Sequence, residues 1–369
     1  VRIAAIAART VRWPIAGTGA ARGRSERAAV VVEVRTDRGA IGLGEAAPLP
    51  GMSPDTLEDA EQAIASFTRL AGTALDDREA ARLLVAATTP PPAARFALET
   101  ALFDALAREQ GISLAALLRA PGRGPGPRTP DPCVGDVARV PLAAVVDDPD
   151  SAGAAFTAGI RCLKIKLGPD DPPERVRAIA AAAPGATLRI DANRSWPPAE
   201  VLDRLAALAA LPIEYVEEPC RDAHRLLAGP LPCKLALDES LVELSPDDLA
   251  AALRSPALAA VILKPALLGG LSACVELAAL ARASGVAAVA SHTLEGPIGT
   301  AACAELALAL AAERPPGLAA GLAPHPALAG WQLSVAQLAT DHVHPAAAPG
   351  LGFVDLDLAG ALRALEPPR

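Results

Sequence analysis

Five charged residues, Lys166, Asp191, Glu217, Asp238 and Lys264, each close a short apolar run, and they follow one another at intervals of 25, 26, 21 and 26 residues. Three carboxylates held at separated points supply hard oxygen ligands. Such a set suits an octahedral Mg²⁺ that keeps positions open for a substrate carboxylate and water; Zn²⁺ would recruit His or Cys instead. In Lys164-Ile165-Lys166 two ammonium groups at i and i+2 share one face of a strand. Their mutual repulsion and a nearby dication would both lower the lysine pKa, leaving some neutral amine to act as a general base. Lys166, the outer of the two, is better placed for that role. Lys264 would face the substrate from the opposite side as an acid, a base or an electrostatic partner. The chemistry this set permits is proton abstraction next to a substrate carboxylate.

Plainer uses exist for each group. An Asp at a strand end commonly caps the following helix, and the lysines can simply pair with the acidic ring. Arg189 and Asn193 flank Asp191 at two residues on either side and so share its face, either supporting the ligand or packing. Glu218 and Glu239 directly follow two proposed ligands. Strand alternation turns them into the wall, although spacing alone leaves the swapped assignment open.

The interval between the charged ends is about the length of one strand plus one helix, and the pattern around them keeps that rhythm. The apolar runs are Val140 to Val146, Cys162 to Leu167, Thr187 to Asp191, Ile213 to Glu217, Lys234 to Asp238, Ala260 to Lys264 and Val286 to Ser291. In a (β/α) barrel all strand C-termini open on one face, so five distant side chains converge on one mouth. A doubly wound sheet would spread them along a line. Before this region, Arg2 to about Glu45 reads as a small antiparallel sheet, with Val30 to Val34 rich in β-branched residues and a turn at Asp37-Arg38-Gly39. Helical spacing follows over Ser53 to Arg69, started by Ser53-Pro54-Asp55-Thr56, and over Ala93 to Leu118. The stretch Ala120 to Pro132 is too dense in Pro and Gly for regular structure and marks the domain boundary.

The chain has 369 residues, is 51% hydrophobic and carries a formal net charge of −8. That is enough to bury a large core in one big domain and a smaller one. No dense basic run offers a phosphate-neutralising surface, so nucleic acid is not an expected partner. The longest apolar stretches fall short of the roughly 20 residues of a membrane span. The start of the chain lacks the pattern of a secretory leader, although Val1 leaves trimming open, and a cytoplasmic enzyme is expected. Six scattered cysteines without a CxxC pair read as buried free thiols, and five unclustered histidines give no zinc pattern.

At these residues the chain resembles the enolase superfamily, and within it the o-succinylbenzoate synthase branch of the muconate-lactonizing-type subgroup. The segments that carry the resemblance are Leu163 to Gly168, Leu188-Arg189-Ile190-Asp191-Ala192-Asn193-Arg194-Ser195-Trp196, Tyr215 to Pro219, Ala236-Leu237-Asp238-Glu239-Ser240, Ile262 to Pro265 and, nearer the start, Gly42 to Gly51. The resemblance implies a modified TIM (β/α) barrel over 126–334 and an α+β capping domain over 1–125, completed by a C-terminal segment of about 335–369. It implies Asp191, Glu217 and Asp238 as Mg²⁺ ligands, with Mn²⁺ able to substitute, and Lys166 as the acid/base catalyst. Lys264 would stabilise an enolate from the other face and Lys164 would assist electrostatically. A Lys base working beside Mg²⁺ is the superfamily's general pattern rather than something the spacing shows. The implied reaction is a syn-dehydration of a cyclohexadiene carboxylate to o-succinylbenzoate, through an enediolate, in menaquinone synthesis. N-acylamino-acid racemase or a muconate-type cycloisomerase would use the same groups. Arg189 leans towards the synthase.

Two departures bear on substrate contacts. Where the branch usually has a Ser-rich end to the seventh strand, this chain has Ser291-His292-Thr293-Leu294-Glu295-Gly296, and near the eighth it has Gly321-Leu322-Ala323-Pro324 with no acid. The substrate pocket is expected at Ser291 to Gly296 and in the capping loop around Gly17 to Gly19. The missing acidic pair argues against dipeptide epimerase, whose substrate ammonium needs it. A catalytically silent binding protein on this fold is the remaining class, and the presence of all five polar groups argues against it.

Overall fold

A computed structural model describes residues 1–15, 25–119, 139–311, 318–324 and 333–365. The Pro/Gly-rich stretch 120–132, the expected boundary at 125/126, the loop around Gly17 to Gly19, Cys133 and His325 lie outside the described residues.

Strands β1 (Ile3–Pro14), β2 (Glu26–Thr36) and β3 (Ile41–Ala46) form an antiparallel sheet in that order. The β-branched run of β2, the middle strand, is fully buried. Four helices follow: α1 (Leu57–Phe67), α2 (Arg78–Ala86), α3 (Pro92–Gln110) and α4 (Leu114–Arg119). Helix α1 starts at the expected place, where the Thr56 side chain accepts from Asp59 N–H and Asp59 reaches back to Thr56 in a capping box. The helical run expected unbroken from Ala93 to Leu118 stops at Gly111, whose φ of +67° closes α3. Helix α2 has no counterpart in the sequence reading. Asp77 caps its start by accepting from Ala80 N–H at 2.8 Å, a signal the sequence did offer. Helix α3 lies so close to β3 that a Cβ at Gly42 or Gly44 would overlap the carbonyl oxygens of Ala101 or Ala97.

The second region alternates strands and helices: β4 (Val140–Pro141), β5 (Ala143–Val145), α5 (Pro149–Thr157), β6 (Cys162–Lys166), α6 (Pro173–Ala182), β7 (Thr187–Asp191), α7 (Val201–Leu208), β8 (Ile213–Glu217), α8 (Ala223–Leu226), β9 (Leu235–Leu237), α9 (Pro246–Leu253), β10 (Leu258–Leu263), α10 (Pro265–Leu268), α11 (Leu271–Ala283), β11 (Ala287–Ala290) and α12 (Pro297–Ala311). Strands β5 to β11 make one parallel sheet in chain order. The segment at Ala320 and Gly321 bridges both edges: Ala143 N–H donates to Ala320 O at 2.9 Å, and Gly321 N–H donates to Ala290 O at 2.9 Å. The curled sheet thus closes on itself with its eighth member reduced to single bridges. Tyr215, Ala236, Ala260, Ile262 and Val289 fill the inside. At the end of the chain, β12 (His342–Val343) pairs with β4, and α13 (Leu358–Leu365) packs on β1 and β2. Among the described residues no helix is long and apolar enough to cross a membrane.

Buried carboxylates tie the helices together. Asp104 of α3 accepts from Leu43 N–H at 2.9 Å and Leu351 N–H at 2.8 Å, and Glu99 accepts from Ser272 N–H at 3.0 Å in the first turn of α11. Glu305 of α12 accepts from Ala115 N–H at 2.7 Å and from the Gln337 amide at 2.9 Å. Burial pushes the Glu305 carboxyl from 4.5 up to about 7, against the pull of those two hydrogen bonds. The folded protein therefore holds this proton after the unfolded chain has released it, and its contribution to stability falls as pH rises from 4.5 towards about 7. Glu305→Gln keeps an acceptor for Ala115 and removes that slope. Its Tm relative to the wild type should rise between about pH 5 and about pH 8, a trend measurable by thermal melts.

Candidate active site

The parallel register sets the site. Lys166 lies opposite Asp191, and Asp191 opposite Glu217, across β6, β7 and β8. Asp238 and Lys264 follow directly on β9 and β10. Asp191, Glu217, Asp238 and Lys264 are buried, with exposures of 4%, 1%, 3% and 7%, which only paired charges tolerate. Lys164 Nζ stands 2.9 Å from Asp191 Oδ2 and 2.9 Å from both Glu217 oxygens. Lys264 Nζ donates to Asp238 Oδ2.

The three lysines are not alike. Burial alone would depress Lys164, but Asp191, Glu217 and Asp238 outweigh it and hold the ammonium well above its ordinary range. Two carboxylates in contact count for more there than one neighbouring lysine. Lys264 is raised as well, because Asp238 overcomes its burial. Lys166 is lowered, by burial first and then by Lys164 and Lys264, with Asp191 pulling the other way. It is half-buried, and among the described residues no carboxylate lies within ion-pair distance of it.

Of the two acidic doublets, Glu217-Glu218 divides as strand alternation requires. Glu218, at φ +42°, turns into the wall and accepts from Asp238 N–H and Ser240 N–H at 2.9 Å each, Ser240 Oγ at 2.8 Å and Arg194 Nε at 3.0 Å. It therefore orients the backbone that carries Asp238. Asn193 and Arg194 share the left-handed conformation, with φ of +44° and +60°. Such a cluster in non-glycine residues marks a backbone held by its surroundings. Asn193 supports Asp191 through its backbone, whose N–H donates to Asp191 Oδ1 at 3.0 Å. Arg189, read as either supporting Asp191 or packing, packs one layer below it. Its Nε donates to Glu214 at 2.6 Å, its Nη1 to Ala319 O at 2.7 Å, and it lies over the Tyr215 ring at 4.9 Å. It braces the closing segment of the barrel. Ser291 follows β11 and its Oγ donates to Gly321 O at 3.2 Å.

Glu239, which strand alternation had turned into the wall, stands instead among the charges of the site. Burial raises its carboxyl and Lys264 pulls it back, so it shares the field of the ring, and its Oε2 is buried with no hydrogen-bond partner among the described residues. The Asp238-Glu239 doublet was the available signal. Lys164 and Lys264 occupy the inner sides of the carboxylates, and among the described residues no three Asp, Glu, His or Cys side chains form a ready metal cage. The donor set nevertheless fits a hard dication: buried carboxylates on adjacent strand ends and, beside them, Glu239 Oε2 without a partner among the described residues.

Comparison with known proteins gives the family. Residues 148–357 match the family described as enolase C-terminal domain-like, and residues 3–119 match the mandelate racemase / muconate lactonizing enzyme N-terminal domain. The chain is 31% identical to the L-Lys-D/L-Arg epimerase of Methylococcus capsulatus over 333 residues, covering 85% of this chain and 89% of the relative. It is 29% identical to the o-succinylbenzoate synthase of Pasteurella multocida over 307 residues, covering 79% and 81%. The crystal structure of the Methylococcus capsulatus dipeptide epimerase, complexed with Mg and the dipeptide L-Arg-D-Lys, superposes with a TM-score of 0.74 at 28% identity, covering 95% of this chain and 99% of that one. With both family matches, and with the carboxylates and lysines at one barrel mouth, the chain belongs to the enolase superfamily.

Proposed function

We propose that Lys166 removes the proton α to the carboxylate of a small-molecule substrate, and that the reaction is the syn-dehydration of a cyclohexadiene carboxylate to o-succinylbenzoate in menaquinone synthesis. The observation that carries the proposal is the contrast among the lysines: Lys164 and Lys264 are paired and raised, whereas Lys166 is lowered and has no carboxylate in ion-pair reach among the described residues. A base needs a neutral fraction near the working pH, and only Lys166 is moved in that direction.

Asp191, Glu217 and Asp238 would hold a Mg²⁺ ion, as the relative's crystal structure contains Mg. When bound there, the ion supplies Lewis-acid stabilisation of negative charge on the substrate carboxylate. Lys264 places a permanent ammonium on the other side of the substrate, and Lys164 keeps the acidic ring neutralised. Arg189, Asn193 and Ser291 act as supports, the first through the lower layer and the second through its N–H. In a syn elimination the proton and the hydroxide leave from one face. Lys166 can therefore take the first and return it to the second, so that water departs and the ring becomes aromatic.

The epimerase relatives raise the alternative of amino-acid or dipeptide epimerisation at the same lysines. A dipeptide brings an ammonium that needs a carboxylate. The closing segment beside Ser291 offers Gly321-Leu322-Ala323-Pro324, which has none. Incubation in D₂O with the cyclohexadiene carboxylate and, separately, with an N-succinyl amino acid and with a dipeptide distinguishes the two. Aromatic product is expected from the first; no aromatic product together with α-deuterium in the amino acid or the dipeptide would overturn the dehydratase reading.

A further inference from the structure

A second buried cluster lies where the N-terminal sheet meets the segment between β11 and α12. Glu45, at the end of β3, is fully buried, and its carboxylate accepts from Gly296 N–H and, at 2.9 Å, from Gly299 N–H. Arg27, in β2 and 3% exposed, places its guanidinium among backbone carbonyls. Two of these belong to its own region, Ala47 O at 2.7 Å and Pro48 O at 2.9 Å; two lie across the junction, Leu294 O at 3.1 Å and Thr293 O at 3.3 Å.

The barrel segment so held is unusual. Leu294 sits at φ +61°, where a side chain of its size rarely rests, and its N–H donates to His292 Nδ1 at 3.0 Å. Glu295, fully buried, takes Thr293 N–H at 2.5 Å. A Cβ on Gly296 would overlap the Glu45 carboxylate, so the glycine is the only residue that leaves room for it. Ser291 starts this segment, and the β10–β11 register, Leu263 opposite Ala290, sets it beside Lys264. The backbone of a loop at the barrel mouth is thus fixed by two side chains about 250 residues away in the sequence.

We infer that Arg27 and Glu45 are positioning residues that fix the backbone of the 291–296 loop as the substrate-pocket wall beside Lys264. The inference rests on the proposed reaction only for placing substrate between Lys166 and Lys264. Backbone acceptors and donors hold the loop in one conformation, and a binding wall displaced by an ångström loses much of its fit.

The test uses the full chain with Mg²⁺ and compares wild type with Arg27→Lys, Glu45→Gln, Glu45→Ala, Gly296→Ala and the double variant Glu45→Ala/Gly296→Ala. The readouts are kcat and KM for formation of aromatic product, and hydrogen–deuterium exchange of the 292–299 amides without substrate. Glu45→Ala and Gly296→Ala should each raise KM about tenfold with kcat changed by less than about threefold. The 292–299 amides should exchange at least about tenfold faster while those of β6 to β8 keep their wild-type rates. Glu45→Gln, which keeps one acceptor, and Arg27→Lys should fall between. The double variant should be no worse than Gly296→Ala alone, because removing the carboxylate makes room for the methyl group. Unchanged KM in Glu45→Ala, equal losses in all regions of the exchange map, or additive effects in the double variant would overturn the inference. A wild type without turnover refutes the reaction; a loop equally protected in wild type and Glu45→Ala refutes the latch whatever the turnover.

Discussion

Lys166→Ala should lower turnover about 10²–10⁴-fold, the range a positioned general acid–base group contributes, while leaving the fold intact. The reason lies in what Lys166 does not do. Among the described residues it pairs with no carboxylate, so its removal strands no buried partner and should shift Tm little. Lys166→Arg should not restore activity, because a guanidinium stays protonated at any working pH and has no lone pair to offer. Product formation and thermal melts on the same preparations check both halves. Loss of activity accompanied by unfolding would point to a structural role instead.

Glu217→Ala should have the larger effect on stability. Both Glu217 oxygens stand 2.9 Å from Lys164 Nζ, and the carboxylate is 1% exposed. Truncation leaves the Lys164 ammonium with only Asp191 in contact, and breaking a buried pair in this way costs about 3–5 kcal/mol. The same change removes a middle member of the proposed ligand set. Mg²⁺ should therefore raise the Tm of the wild type and leave that of Glu217→Ala unmoved, since only a ligand that binds the folded state stabilises it. A Mg²⁺-dependent rise of equal size in both proteins would exclude Glu217 as a ligand.

The charged strand ends were legible in the sequence because two simple periods act together. Alternation within a strand puts Lys164 and Lys166, or Arg189 and Asp191, on one face, and the βα repeat brings successive strand ends to one mouth. Strands β7 and β8 coincide with the runs read from the sequence, Thr187 to Asp191 and Ile213 to Glu217. Contacts between elements were not legible. Nothing in Lys164-Ile165-Lys166 tells that the first lysine touches two carboxylates and the second none, yet that difference sets opposite pKa directions. Arg189 looked like a neighbour of Asp191 by spacing but spends its donors on Glu214 and Ala319 O one layer down. Asn193 helps through its backbone, which carries no residue-specific signal. The Arg27 and Glu45 contacts are hidden for the same reason: their partners are peptide groups at Thr293, Leu294, Gly296 and Gly299.

The buried acids at this mouth outweigh what a purely structural ion-pair network needs, since among the described residues Glu239 Oε2 has no partner beside three carboxylates already facing lysines. A dication held by Asp191, Glu217 and Asp238 would bring positive charge beside that oxygen, and the lysine that stays free of the ring is then the one left for the substrate. The most direct test is the rate of aromatic product formation by the wild type after chelation and after Mg²⁺ is returned. The proposed chemistry predicts that activity disappears with the chelator and returns with Mg²⁺ in wild type but not in Lys166→Ala; turnover that persists under chelation, or that returns undiminished in Lys166→Ala, would contradict it.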